Sequence, residues 1–123
     1  MTQSRKPLVS FDFDRTLAQY DGRYNPNAVG EPIPLMLAVL KQHLAAGHDC
    51  NVLTARVHPS HTPEEVAAAR VAIQQWCRKY VGQELPITCM KDPRMVLLYD
   101  DRACGILPNT GLRADGKPHS IIL

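Results

Sequence analysis

The four cysteines of this chain, Cys50, Cys77, Cys89 and Cys104, never fall in a CxxC pair. Without that spacing the sequence offers no zinc or dithiol-redox framework. Each lies in an apolar or helical context, which reads as a small buried hydrophobe in a reducing compartment. The chain also lacks an excess of either charge. Lys and Arg number 14 against 12 Asp and Glu, a net charge of +2, and the basic residues are scattered. That balance gives no electrostatic footprint for obligate nucleic-acid binding. No apolar run approaches the roughly 20 residues of a membrane span. The opening "MTQSRKP" has no secretory h-region, so a cytoplasmic protein without membrane contact is the expectation. Internal repeats and low-complexity segments are absent too.

What is present is a 123-residue chain, 45% apolar, enough for one domain (1–123) with a real core. "LVSF" (8–11) reads as a buried strand. Residues 18–33, rich in Gly, Pro and Asn, read as a long loop. Pro34 suits a first helical turn, Met36, Leu37, Leu40 and Leu44 follow at helical spacing, and Gly47 terminates. "CNVLTA" (50–55) is a second strand. "TPEEV" starts a second helix, with Thr62 as cap, Pro63 at the first position and Glu65 closing a capping box. Val66, Ala69, Ile73, Trp76, Cys77 and Tyr80 line one face of it to about residue 81, which makes Trp76 and Tyr80 core residues. "PITCM" and "MVLLY" (95–99) are further strands, and the tail "HSIIL" suits an edge strand. This alternation predicts an α/β fold: a small Rossmann-like parallel sheet flanked by helices.

In such sheets ligands bind beyond the carboxyl ends of the strands. The first strand ends at Asp12 and Asp14, the second at Thr54 and then Arg56, the third at Lys91, the fourth at Asp100 and Asp101. An ionised carboxylate at the end of an apolar strand is costly unless it is compensated. Either the two early acids reach solvent and end the strand, or they hold a cation or do chemistry. Crowded carboxylates raise one another's pKa unless a cation intervenes, and all-oxygen ligands with room for water favour Mg²⁺. A metal, a lysine and a hydroxyl around one carboxylate suit a substrate with several negative oxygens, with phosphate the natural candidate.

"FDFDRT", "LTAR", a lysine and "YDDRA", in that order, resemble motifs I to IV of the haloacid dehalogenase superfamily, from about Leu8 to Ile106. The chain looks most like the small capless hydrolases of bacteria and phages in that family. The resemblance implies that Asp12 is a nucleophile forming an aspartyl-phosphate and that Asp14 is the general acid and base. It implies that Thr54 binds the phosphoryl group and that Lys91 screens Asp12 from the phosphate. Mg²⁺ would be held by Asp12, the Asp14 backbone carbonyl, Asp100 and Asp101, and Thr16 would brace the loop. Retaining both acids of the first motif favours phosphoryl transfer over dehalogenation.

Two positions depart from the family pattern. Arg15 stands where glycine is common, and Tyr99 replaces the glycine often found before the fourth-motif aspartate. Neither 18–33 nor the stretch between Thr54 and Lys91 has room for a cap domain, so an open site is expected unless that loop or a neighbouring subunit of a homo-oligomer covers it. Arg56 either contacts substrate or pairs with a nearby acid, and Arg94 is the alternative cation to Lys91. His58 and His61 read as exposed loop histidines rather than a transition-metal pair. The implied activity is a Mg²⁺-dependent phosphatase acting on a nucleotide, a nucleic-acid end or a small phosphorylated metabolite. The competing readings are a non-catalytic module on the same scaffold, and a nucleic-acid-interacting protein with a basic stripe of Arg15, Arg23, Arg56 and Arg102.

Overall fold

A computed structural model describes residues 6–123. Its centre is a parallel sheet of four strands in the order β3-β2-β1-β4: β1 (Leu8–Phe11), β2 (Asp49–Leu53), β3 (Ile87–Thr88) and β4 (Met95–Tyr99). Helix α1 (Pro34–Ala45) connects β1 to β2, and α2 (Pro63–Trp76) connects β2 to β3. These first three strands step outward in one direction, so right-handed crossovers place both helices on one face of the sheet. The aromatic contacts agree: Phe11 meets His43 of α1 at 6.0 Å, and Phe13 meets Trp76 of α2 at 5.1 Å. The result is the Rossmann-like α/β fold expected from the sequence.

Local chemistry sets the helix ends. Thr62 Oγ1 accepts from Glu65 N at 3.1 Å and Glu65 Oε1 accepts from Thr62 N, the reciprocal capping box. Pro34 occupies the first turn of α1, where its missing N–H costs nothing. Gly47 takes φ +84° and donates to Leu44 O at 3.0 Å, turning the chain out of α1. Helix α2 gives way to a wider π turn over Cys77–Val81, closed by Gly82 at φ +93°, so the apolar face continues to Tyr80 but not as α-helix.

The core joins Val9, Phe11, Cys50 and Val52 of the strands to Leu40, Ile73, Trp76 and Cys77 of the helical layer, with Phe13 and Leu17 from the loop after β1. Each large side chain buried this way contributes about 1.5–3 kcal/mol. Tyr99, unexpected before an acidic motif, stacks on Phe11 at 4.9 Å and its hydroxyl is 3.0 Å from His43 Nε2. It is a packing residue between sheet and α1. Cys50 and Cys77 are buried as expected, and burial pushes both thiols up to about 11. Cys104 is exposed and Cys89 half-buried, contrary to the buried reading of all four.

Three strand expectations need correction. Strand β2 begins at Asp49 and ends at Leu53, and β3 keeps only two of the five residues of "PITCM". The tail "HSIIL" forms no strand. Between β3 and β4 only six residues, Cys89–Arg94, return the chain from one edge of the sheet to the other. Three strand spacings are about 14 Å. Six residues coiled as helix would span only about 9 Å. The link is therefore a non-helical strap that ends in a turn, Met95 N donating to Asp92 O at 3.0 Å, at the amino ends of β1 and β2, where Arg94 O accepts from Leu8 N at 3.1 Å and the Arg94 guanidinium reaches Asp49 at 3.2 Å.

Candidate functional site

Alternation at the end of β1 creates the site. Phe13, Leu17 and Ala18 are fully buried, and Leu17 N and Ala18 N both donate to Phe13 O. With the apolar side chains drawn into the core, the flanking Asp12 and Asp14 line a cavity of about 400 Å³ at the carboxyl ends of the strands. Arg15 makes the tight turn at φ +69°, the left-handed region where glycine is at ease. An L side chain there costs about 1–2 kcal/mol. Its guanidinium lies 5.7 Å from the Tyr20 ring centre, a cation–π contact that offsets part of this.

Asp12, Asp100 and Asp101 converge, with one carboxylate oxygen from each within 4.8 Å of the others. Desolvation first, then hydrogen bonding to Asp101 and repulsion from Asp100 and Asp101, push the Asp12 carboxyl up to about 7. The Thr16 hydroxyl opposes the shift, donating to Asp12 Oδ2 at 3.2 Å. That hydroxyl also accepts from Asp101 N at 3.2 Å, so Thr16 braces the loop after β1 against the loop after β4. Asp100 Oδ1 accepts from Arg102 N at 2.8 Å, a local turn that fixes the acid. The donor set is all oxygen, and both the burial and the neighbouring acids that raise Asp12 disfavour a bare carboxylate that a hard divalent cation would compensate, so these residues fit Mg²⁺.

Thr54 is buried at the end of β2. Its backbone N donates to Thr88 O at 2.8 Å, and its hydroxyl accepts from Arg56 N at 3.2 Å to start a short 3₁₀ turn. That turn directs Arg56, only 4% exposed, into the wall of the cavity. Arg56 holds Asp14 through two parallel bonds, Nε to Oδ2 at 2.7 Å and Nη2 to Oδ1 at 2.9 Å. Nη1 donates to Asn25 O and Ala28 O, and the guanidinium lies 5.2 Å from the Tyr24 ring centre. Of the two readings of Arg56, pairing with an acid is the one the structure shows. Four of its five N–H groups are already engaged, so its assignment as a substrate contact is corrected to a clamp between Asp14 and the 18–33 loop.

That loop is an ordered wall. Gln19 N donates to Glu31 O and Ile33 N to Leu17 O, each at 2.8 Å, which ties its base. Trp76 Nε1 donates to Gly30 O at 3.0 Å, and a Cβ at Gly30 would sit 1.9 Å from Gln19 O. Tyr20 and Tyr24 line the cavity from this loop, and Tyr24 stacks on His61 with ring centres 5.0 Å apart. Neither tyrosine stood out in the sequence, since nothing in the local pattern tells which loop side chains turn inward. Cys89, read as packing alone, also lines the cavity.

Lys91 is the exception among the expected residues. It is exposed and lines a second cavity with Leu8, Asp49 and Arg94, and it does not line the one holding Asp12. The short strap is the physical reason: the chain leaves the carboxyl edge immediately after β3. Arg94 pairs with Asp49 and Asp92 at that other end, so it is not the alternative cation either. Among the described residues, the exposed cations that line the site are Arg15 and Arg102. With Arg56 buried, the four-arginine stripe is not continuous. His58 Nδ1 accepts from Ser60 N and His61 lies against Tyr24, so the two histidines line the wall and belong to no metal-ligand cluster among the described residues.

No protein-family model matches this chain, and no curated protein does. A solved structure of a conserved protein from Bacteroides thetaiotaomicron is similar, with 21% identity and a TM-score of 0.53 over 94% of this chain and 84% of that one. At that identity the likeness concerns the α/β fold alone. No helix among the described residues is long and apolar enough to cross a membrane.

Proposed function

We propose that the chain is a Mg²⁺-dependent phosphomonoester hydrolase of the haloacid dehalogenase type, with an open, capless site. The observation that carries this reading is the convergence of Asp12, Asp100 and Asp101 in one cavity with Thr54 and Asp14, at the carboxyl edge of a parallel sheet. Asp12 attacks phosphorus, the ester oxygen departs, and an aspartyl-phosphate forms. Asp14 gives the leaving oxygen its proton, then takes one from the water that hydrolyses the acyl phosphate. Both oxygens of Asp14 are held by Arg56, so one of those bonds is exchanged for substrate or water during each half-reaction. Thr54 and the guanidinium groups of Arg15 and Arg102 supply donors for the phosphoryl oxygens. Bound by Asp12, Asp100 and Asp101 with the Asp14 carbonyl, Mg²⁺ would neutralise the carboxylates and the phosphate charge together.

The substrate class is a phosphorylated small molecule or nucleic-acid end that reaches an uncovered cavity, and the protein is cytoplasmic in this reading. The test is phosphate release from an aryl phosphate with Mg²⁺, with chelator, and with Asp12→Asn. Metal-dependent turnover lost in Asp12→Asn is the expected result. Folded protein that binds Mg²⁺ yet releases no phosphate from the aryl ester or from a panel of nucleotides, sugar phosphates and phosphorylated oligonucleotides would favour a non-catalytic module.

A further inference from the structure

Beyond Asp100 the chain stops contributing to the core: from Asp101 to Leu123 every residue except Arg113 is exposed. Gly105–Ala114 still form a defined hairpin, with Leu107 N donating to Leu112 O and Ala114 N to Gly105 O, each at 2.8 Å. A lone two-stranded hairpin is marginally stable at best, and here Ile106, Leu107 and Leu112 all lie open. His119 Nε2 sits 2.6 Å from Gly111 O, which roots the tail at the hairpin turn. The segment that follows, Ser120–Leu123, carries no charged side chain, and its Ile121 and Ile122 are exposed at 95% and 88%. Two adjacent β-branched residues have strand composition but, among the described residues, no strand partner.

The sheet carries the complementary vacancy. Among the described residues strand β4 pairs with β1 on one side only, which leaves its outer row of N–H and C=O groups without a neighbouring strand there. Val96 and Leu97 on it are exposed at 67% and 41%. Edge strands usually deter association with a charge or a proline. Met95–Tyr99 has neither. Among the described residues, an apolar segment without a sheet and an apolar edge without a strand therefore occur on one molecule, with no charged side chain on either to oppose contact.

We propose that the two meet between copies: Ser120–Leu123 of one chain adds to the free edge of β4 in a second copy, and the exchange is reciprocal, giving a two-fold dimer. A second copy is the favoured occupant because it supplies both missing halves without any further component. The tail, rooted at the hairpin turn, has its last residues clear of its own body. The dimer stands independently of the catalytic reading, since no residue of the site takes part in it.

The test is the solution mass of the full chain by light scattering after size exclusion, for the wild type, Ile122→Asp and Val96→Lys. Both positions are exposed, so neither substitution disturbs the core, and circular dichroism checks that each variant is folded. The expected result is twice the chain mass for the wild type and a halving to the monomer for each variant. A monomeric wild type overturns the proposal, whether the tail then rests on its own chain or serves another protein. So does a dimer that either substitution leaves intact.

Discussion

Replacing Asp12 by Asn should change how stability depends on pH, and the direction follows from the site. The Asp12 carboxyl titrates near 7 in the folded protein, against an ordinary aspartate value of 3.8. The folded state therefore binds this proton more tightly than the unfolded chain does. Its contribution is fully present below the unfolded pKa and is lost as pH rises through about 7. A shift of that size corresponds to about 4 kcal/mol if solvent played no part. Asp12 is only half-buried, and solvent screening reduces the figure to about 1–2 kcal/mol. Asn keeps the size of the side chain and an oxygen for the Thr16 hydroxyl but cannot ionise. Urea unfolding in the presence of chelator, at several pH values between about 4 and 8, measures the difference. Asp12→Asn should lose that part of the slope and be the more stable protein at the alkaline end by about 1–2 kcal/mol. If the two stability curves run parallel, or the variant is weaker at the alkaline end, the upward shift of Asp12 by burial and by its acidic neighbours is absent.

Four further outcomes follow from the same geometry. Saturating Mg²⁺ should stabilise the wild type, by about 2.7 kcal/mol at a hundred times its dissociation constant, and should do so much less in Asp12→Asn; thermal melts with and without the ion decide this. Arg56→Ala leaves Asp14 and two loop carbonyls without partners and should cost about 3 kcal/mol, with faster proteolysis near Asn25 as the local readout. Gly30→Ala drives a methyl group against Gln19 and should destabilise by about 1–3 kcal/mol in urea titrations. Arg15→Gly relieves the left-handed strain and should leave stability unchanged or raise it by up to about 1 kcal/mol, less whatever the Tyr20 contact contributes.

The fold was legible where local chemistry and burial agreed. Thr62, Pro63 and Glu65 specify a helix start whatever lies around them, and the apolar spacing of α2 places Ile73 and Trp76 inward. The same holds for β1, whose four residues are all buried. Strand β3 is shorter than its composition suggests because "PITCM" has strand character throughout, yet only Ile87 and Thr88 find the neighbouring strand within reach before the strap departs. The tail differs for a related reason. Composition makes "HSIIL" able to pair, and pairing needs an edge at the right distance, which nothing in the segment encodes.

By itself the sequence determined which residues arrive at the carboxyl edge of the sheet: Asp12 and Asp14 after β1, Thr54 after β2, Asp100 and Asp101 after β4. Strand ends are local features, and parallel connections bring them to one side. Tertiary structure alone decided how those residues are shared out. It paired Asp14 with Arg56 rather than with the other acids, turned Tyr20 and Tyr24 inward, and carried Lys91 to a different cavity. Those outcomes depend on distances between segments far apart in the chain, and above all on a six-residue strap too short to hold a helix or to remain at the site.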